Sequence, residues 1–66
     1  MNVTINGKTQ TFDANISVAD MIAAIYDSDK GIAVAINNTL VPRAGWATRQ
    51  LEENDDIVII KAAYGG

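Results

Sequence analysis

The sequence contains no cysteine and no histidine among its 66 residues. The chain therefore has no disulfide, no thiol nucleophile and no imidazole base, and it lacks the side chains that build most zinc sites. We expect it to hold no metal ion and no bound cofactor of its own. Any sulfur chemistry in which this chain takes part must use a group other than a cysteine side chain.

Basic clusters and long apolar runs are absent as well. Five basic residues are scattered along the chain against eight acidic ones, which gives a net charge of −3, so we expect no nucleic-acid partner. No apolar segment is long enough to span a bilayer, and the first residues lack the pattern of a signal peptide. We therefore expect a cytoplasmic protein that binds no membrane and forms one small domain.

The first part of the sequence has the pattern of a β-hairpin. Residues 3–5 alternate apolar and polar side chains, as a half-buried strand does. Asn6-Gly7 follows, and both residues tolerate the positive φ of a type I′ turn. Residues 8–12 are predicted to be the returning strand.

A helix is predicted next. Ser17 is a good N-cap, and Asp20 suits the positive end of the helix dipole. The apolar residues spaced as i, i+3, i+4 and i+7 on one stripe are Val18, Met21, Ile22 and Ile25. We expect residues 27–31 to close the helix, with Gly31 as its left-handed exit.

The second half of the sequence predicts more strands. Ile32–Ile36 is an apolar run of strand length, and Asn37-Asn38 predicts a turn. Thr39–Val41 is expected to be a short strand, which Pro42 ends because proline has no N–H to donate.

The segment that follows is irregular before a last strand. Residues 43–50 are expected to hold one helical turn around Trp46, whose ring we place in the core or at its edge. Residues 52–56 are predicted to form a solvated acidic turn, whose spacing matches no calcium loop. Residues 57–60 are the strongest β-forming run in the sequence and are expected to be a central strand.

The order of these elements, β-β-α-β-β-β, predicts an α+β fold. One helix with a single apolar face needs a sheet to cover, so we expect it to pack on one face of a mixed sheet of four to five strands. A β-grasp arrangement fits, although periodicity alone does not separate it from other small α+β folds. We assign residues 1–61 to this domain and residues 62–66 to a flexible C-terminal tail.

The tail ends in Tyr64-Gly65-Gly66. Glycine has no Cβ to clash with the walls of a channel, so such a tail is suited to enter the active site of another protein. From Ala62 onward it can extend about 16 Å. The carboxylate of Gly66 is ionised at neutral pH, so another enzyme has to activate it before it reacts.

The whole chain resembles the sulfur carriers of thiamine and molybdenum-cofactor synthesis, which are ubiquitin-like β-grasp proteins. The residues that carry the resemblance are Asn6-Gly7, Val41-Pro42-Arg43 with Trp46 three residues on, and the terminal diglycine. The middle segment is similar to the thiamine branch, the ThiS family. The chain departs from that family at Tyr64, which is bulky, and at Asp55-Asp56, where the family commonly has Gly-Asp. We expect Asn54 to take the left-handed position of that turn.

The resemblance implies a sulfur-transfer cycle at Gly66. A ThiF-like enzyme would use MgATP to adenylate its carboxylate, and a sulfur donor such as a cysteine desulfurase would convert the adenylate to a thiocarboxylate. A ThiG-like thiazole synthase would take the sulfur for the thiazole ring of thiamine, with Gly65 and Tyr64 entering the active site of the partner. The chain would be a carrier and co-substrate, not an enzyme. The alternatives are a carrier for molybdopterin or another thiolation pathway, a ubiquitin-like modifier, and a plain interaction module.

A docking surface is predicted on the last strand. Only alternate residues of 57–60 can face the helix, so Val58 and Ile60 are expected to form an apolar patch on the opposite face. The alternatives are that the chain covers this face itself or associates with a second copy. Arg43 is expected either to steer a partner or to pair with nearby acidic residues.

Overall fold

The computed structural model describes residues 1–62. Its elements are β1 (Asn2–Ile5), β2 (Lys8–Thr11), the helix α1 (Val18–Ile25), β3 (Ile32–Ile36), β4 (Thr39–Val41), a 3-10 turn at Arg43–Gly45, and β5 (Asp56–Lys61). The strands form one mixed sheet in the order β2-β1-β5-β3-β4. The prediction of an α+β chain with one helix and a four- to five-stranded sheet is confirmed.

β5 is the central strand, as the sequence predicts. It pairs in parallel with β1, where Ile5 lies opposite Ile57, and antiparallel with β3, where Val34 lies opposite Ile59. The remaining pairs, β1 with β2 and β3 with β4, are antiparallel hairpins. The last strand of the chain therefore joins two hairpins into one sheet.

Left-handed residues form the turns where the sequence predicts them. Asn6 and Gly7 have φ of 51° and 84°, and Asn37 and Asn38 have φ of 51° and 68°. A positive φ at both central residues is type I′ geometry, which matches the twist of the flanking strands. Asn54 has φ of 68° and takes the left-handed position before β5, as predicted.

A capping box starts α1. The Ser17 hydroxyl accepts a hydrogen bond from the Asp20 N–H at 3.0 Å, and the Asp20 carboxylate accepts one from the Ser17 N–H at 3.4 Å. These two bonds satisfy N–H groups that have no partner within the helix. The predicted N-cap is confirmed.

The predicted end of α1 is wrong in two respects. The helix ends at Ile25, and its C-cap is Tyr26 in extended backbone, so residues 27–31 do not close it. Gly31 does have a positive φ of 72°, but it lies immediately before β3, where the chain turns into the sheet. Ile25, the last residue of the helix, is 43% exposed and lies at the margin of the apolar stripe.

The core lies between α1 and one face of the sheet. Its most deeply buried side chains are Val3, Val18, Met21, Val34 and Ile57. Trp46 is buried beside them, as predicted, and its Nε1 donates to the Val41 carbonyl at 3.0 Å. The bond gives the indole N–H the partner that a buried tryptophan needs.

The acidic turn before β5 is not fully solvated, which corrects the prediction for residues 52–56. Asp55 is 3% exposed. Its carboxylate accepts hydrogen bonds from the Glu52 N–H at 2.8 Å and from Asn37 Nδ2 at 3.1 Å, and it lies 3.6 Å from Arg49 Nη2. A buried carboxylate requires such partners, and they come from three separate segments.

The described chain ends just after β5. Lys61 is the last strand residue, and the Ala62 N–H donates to the Gly31 carbonyl at 2.8 Å. The predicted tail residues Tyr64, Gly65 and Gly66 lie outside the described residues. Among residues 1–62, no helix has the length and apolar character needed to cross a membrane.

Candidate functional site

The candidate site consists of the outer sheet face, which is the face away from α1, and the base of the C-terminal tail. On β5 the side chains of Ile57 and Ile59 are buried against the helix, whereas Val58 is 42% exposed and Ile60 is 63% exposed. The predicted alternation along the last strand is confirmed. The described part of the chain leaves Val58 and Ile60 exposed. The alternative that the chain covers this face itself is therefore wrong for residues 1–62.

Neighbouring strands enlarge this apolar surface. Ala35 lies opposite both Val58 on β5 and Leu40 on β4, and Ala33 lies opposite Ile60. Leu40 is 66% exposed. We call these five residues the apolar face; they span three adjacent strands: Ala33, Ala35, Leu40, Val58 and Ile60.

Sequence reasoning missed Leu40 and the two alanines as members of the apolar face. Leu40 has the required signal, because it alternates with Val41, which packs against the core. What the sequence does not give is the register that sets Leu40 opposite Ala35. That register places Leu40 in one row with Ala35 and Val58, one strand away from β5, which leads to the tail.

The other half of the outer sheet face is polar. Thr4 Oγ1 donates to Asp56 Oδ1 at 2.9 Å, and Thr11 Oγ1 donates to Asn2 Oδ1 at 2.9 Å. Thr9 lies opposite Thr4 on the edge strand β2. On the outer sheet face, β5 changes from polar to apolar between Asp56 and Val58.

Two asparagines from the hairpin turns hold the strand that carries the apolar face. Asn6 Nδ2 donates to the Ile59 carbonyl at 3.2 Å, and the Ile59 N–H donates to Asn6 Oδ1 at 2.9 Å. Asn37 Oδ1 accepts from the Asp56 N–H at 3.0 Å. Beyond the end of β1 at Ile5, the Asn6 amide therefore takes the place of a neighbouring strand and pairs the backbone of β5.

Arg43 does not lie with Val58 and Ile60. Its Nη1 is 2.8 Å from Asp29 Oδ2, and its guanidinium carbon lies 4.7 Å from the centroid of the Trp46 ring. These contacts place the guanidinium in the helix layer, and the side chain is half exposed. Pairing with a nearby acidic residue, one of the two predicted roles, is confirmed; direct contact with a partner stays a prediction.

The described residues present no metal centre. Within residues 1–62, no group of three or more carboxylate, imidazole or thiol side chains is arranged to hold an ion. The chemistry that the described part of the site can perform is recognition: an apolar surface on the outside, and a fixed strand from which the C-terminal residues follow.

Comparison with known proteins gives the family. The family model described as ThiS matches residues 3–66. The chain is 27% identical over 66 residues to the sulfur carrier protein ThiS of Escherichia coli (strain K12), and the match covers both chains in full.

Solved structures give the same fold. A crystal structure of a thiamine biosynthesis protein, ThiS, from Geobacter metallireducens is similar with a TM-score of 0.84 at 23% identity, and both chains are covered in full. An NMR solution structure of a thiamine biosynthesis protein from that organism has a TM-score of 0.80 at 23% identity over all of this chain and 88% of that one. At this identity the likeness supports the fold alone, and the β-grasp prediction is confirmed. Since the family model spans all but the first two residues, the chain belongs to the ThiS family.

Proposed function

We propose that the chain is a sulfur carrier of thiamine synthesis, and that it carries sulfur as a thiocarboxylate at Gly66. The observation that supports this function most directly is the family match, which includes Gly65 and Gly66. The relative from E. coli is a sulfur carrier protein by name. The absence of cysteine from this chain is consistent with sulfur carried at the terminal carboxylate.

The proposed cycle makes the chain a co-substrate and not an enzyme. A ThiF-like enzyme joins the Gly66 carboxylate to AMP from MgATP and releases pyrophosphate. The terminal sulfur of a cysteine-desulfurase persulfide attacks the carbonyl carbon and AMP leaves. A further thiol then reduces the acyl disulfide, which frees the thiocarboxylate. ATP and Mg²⁺ belong to the activating enzyme, and we place the cycle in the cytoplasm.

A second partner then accepts the sulfur of the thiocarboxylate. A ThiG-like thiazole synthase takes its sulfur for the thiazole ring and returns the Gly66 carboxylate to the start of the cycle. Gly65 and Tyr64 enter the active site of each partner together with Gly66.

We propose the apolar face as the surface that docks on the ThiF-like enzyme. Ile60 lies two residues before Ala62, so a partner that covers Ile60 also lies next to the base of the tail. An exposed apolar surface across three strands is typical of an interaction site. Its position explains how one partner can hold the domain and receive Gly66 at the same time.

The decisive experiment is an intact-mass measurement of the full chain. The protein is incubated with MgATP, a ThiF-like activating enzyme and a cysteine desulfurase with cysteine. We expect one oxygen to be replaced by sulfur at Gly66. A chain with one alanine added after Gly66 is the matched control, and we expect it to fold normally and gain no sulfur.

Each other outcome points elsewhere. If an activating enzyme shown to work on another carrier leaves this chain unchanged, the carrier function is wrong. Amide-linked conjugates to other proteins would instead indicate a ubiquitin-like modifier. Transfer of the sulfur to a molybdopterin precursor or to tRNA, but not to thiazole, would keep the carrier chemistry and overturn the thiamine assignment.

A further inference from the structure

Arg43 is connected to the loop between α1 and β3 by more than its ion pair. Besides the contact with the Asp29 carboxylate, Arg43 Nη2 donates to the Asp29 carbonyl at 2.9 Å and lies 3.4 Å from the Ile32 carbonyl, which accepts the second bond. The guanidinium carbon also lies over the Trp46 ring, 4.7 Å from its centroid. One side chain therefore binds both ends of the 29–32 segment.

The same loop receives the end of β5. The Ala62 N–H donates to the Gly31 carbonyl at 2.8 Å, and Lys61 lies opposite Ile32 in the sheet. Gly31 has a φ of 72°, so its backbone is left-handed. The direction of its carbonyl therefore follows from the conformation of the loop. The position of this acceptor depends on residues 29–32, which Arg43 holds.

A second contact fixes the base of the tail from the other side. Lys61 Nζ lies 5.2 Å from the centroid of the Tyr26 ring, and Tyr26 is the C-cap of α1. The last two described residues, Lys61 and Ala62, are thus attached to the end of the helix and to the loop after it. The contact with Tyr26 lies on the helix side of the sheet, away from the apolar face, and the bond to Gly31 continues the backbone pairing of β3 with β5.

We propose that Arg43 is a positioning residue that sets the direction in which the C-terminal tail leaves the domain. It acts through the 29–32 segment on the Ala62 N–H, and not by contact with the substrate atoms of a partner. The expected effect on adenylation rests on the proposed function. The expected effect on the Ala62 hydrogen bond rests on the geometry alone.

The chemistry explains why arginine suits this position. The planar guanidinium has donors enough to bind a carboxylate and two carbonyls at once while one face lies on an aromatic ring, whereas a lysine ammonium is a point charge that cannot match this geometry. Reaction rates respond steeply to small errors in the placement of a reacting group. A tail that starts in the wrong direction would therefore slow adenylation even when the apolar face docks normally.

The test combines amide hydrogen exchange by NMR with adenylation kinetics on the full chain. In Arg43→Gln we expect the Ala62 amide to exchange roughly tenfold faster, relative to the core amides of Val34 and Ile59, because charge-assisted hydrogen bonds to the loop are lost. We also expect kcat for adenylation to fall by roughly tenfold while KM changes by less than about twofold. Arg43→Lys should restore both only in part.

Lys30→Gln is the matched control, because it removes one positive charge from the same exposed loop and leaves the guanidinium contacts in place. We expect it to leave Ala62 exchange and kcat unchanged. If Arg43→Gln fails to fold, Asp29→Asn replaces it. That variant loses the ion pair but keeps both carbonyl acceptors, so it should shift Ala62 exchange in the same direction by a smaller factor.

Several results would overturn the inference. One is an Ala62 exchange rate in the Arg43 variants equal to that in Lys30→Gln. Another is a rise in the KM for adenylation with no change in kcat, which would indicate that Arg43 contacts the partner directly. Failure of the unmodified chain to be adenylated would instead reject the proposed function. In that case the exchange measurement alone decides whether Arg43 holds the base of the tail.

Discussion

Asn6 shows how one residue serves both local and distant structure. Its backbone takes the left-handed conformation of a type I′ turn, with φ of 51°. Its side chain exchanges two hydrogen bonds with the backbone of Ile59, which is 53 residues away. The asparagine amide, with one acceptor and two donors, reproduces the pairing of a peptide group, which explains why the hairpin turn can extend the sheet.

Replacing Asn6 separates these two roles. Asn6→Gly keeps the left-handed backbone and loses the amide, so we expect the free energy of unfolding to fall by about 1 kcal/mol. Asn6→Ala loses the amide and adds strain at positive φ, so we expect a loss of about 2–3 kcal/mol. Urea denaturation measures both, and equal stability of the two variants would contradict the separate contribution of the backbone.

At the scale of elements, β5 divides its side chains between two functions. Ile57 and Ile59 belong to the core, and Val58 and Ile60 belong to the apolar face. A strand allows this division because successive side chains point to opposite faces. Substitutions on β5 can therefore test docking without disturbing the core.

We expect the double variant Val58→Thr with Ile60→Thr to fold with little loss of stability, since threonine is β-branched and suits a strand. Its affinity for the ThiF-like enzyme should fall by roughly tenfold or more, because the apolar area available at the interface is reduced. Isothermal titration of the full chain against the enzyme measures the affinity. Thr9→Val, the reverse change on the polar half of the same face, is the control and should bind as the unmodified chain does. Normal binding by the double variant would place the interface elsewhere.

The strands and turns could be predicted because their signals are local. Asn6-Gly7 and the alternation along residues 57–60 each need only a few neighbouring residues to be interpreted. The burial of Asp55 and the exposure of Leu40 could not be predicted, because they depend on segments far apart in the sequence: Asn37 and Arg49 for the aspartate, and the register of β3 with β4 for the leucine.

The end of α1 was mispredicted for a related reason. A glycine after a loop is a good helix stop in isolation. Here the positive φ of Gly31 is used to bring the chain into β3, where the residue also accepts the Ala62 N–H. That use depends on the last strand of the chain, about which the local sequence carries no information.

For the whole molecule, one thin core between a single helix and a sheet carries the stability. α1 has only 8 residues, and it contributes Val18, Met21 and Ile22 to the core. A domain of this size has a stability of roughly 5 kcal/mol, so the loss of one large buried side chain is a large fraction of the total.

Met21→Ala should therefore lower the free energy of unfolding by about 3 kcal/mol, which leaves about 2 kcal/mol and a few per cent of the chain unfolded at room temperature. Ile25→Ala on the same helix is the matched control; because Ile25 is 43% exposed, we expect it to cost less than about 1 kcal/mol. Urea denaturation followed by circular dichroism compares the two. Similar midpoints for both variants would mean that α1 does not form the centre of the core.

The parallel pairing of β1 with β5 has a consequence for biosynthesis. Until β5 has been synthesised, the segments of the two hairpins lack the strand that joins them in the folded sheet. An isolated two-stranded hairpin is at best marginally stable in water. A nascent chain interrupted before β5 is thus left unfolded and open to proteolysis. Because β5 joins the two hairpins, we expect the domain to fold only after β5 has been synthesised and has left the ribosome.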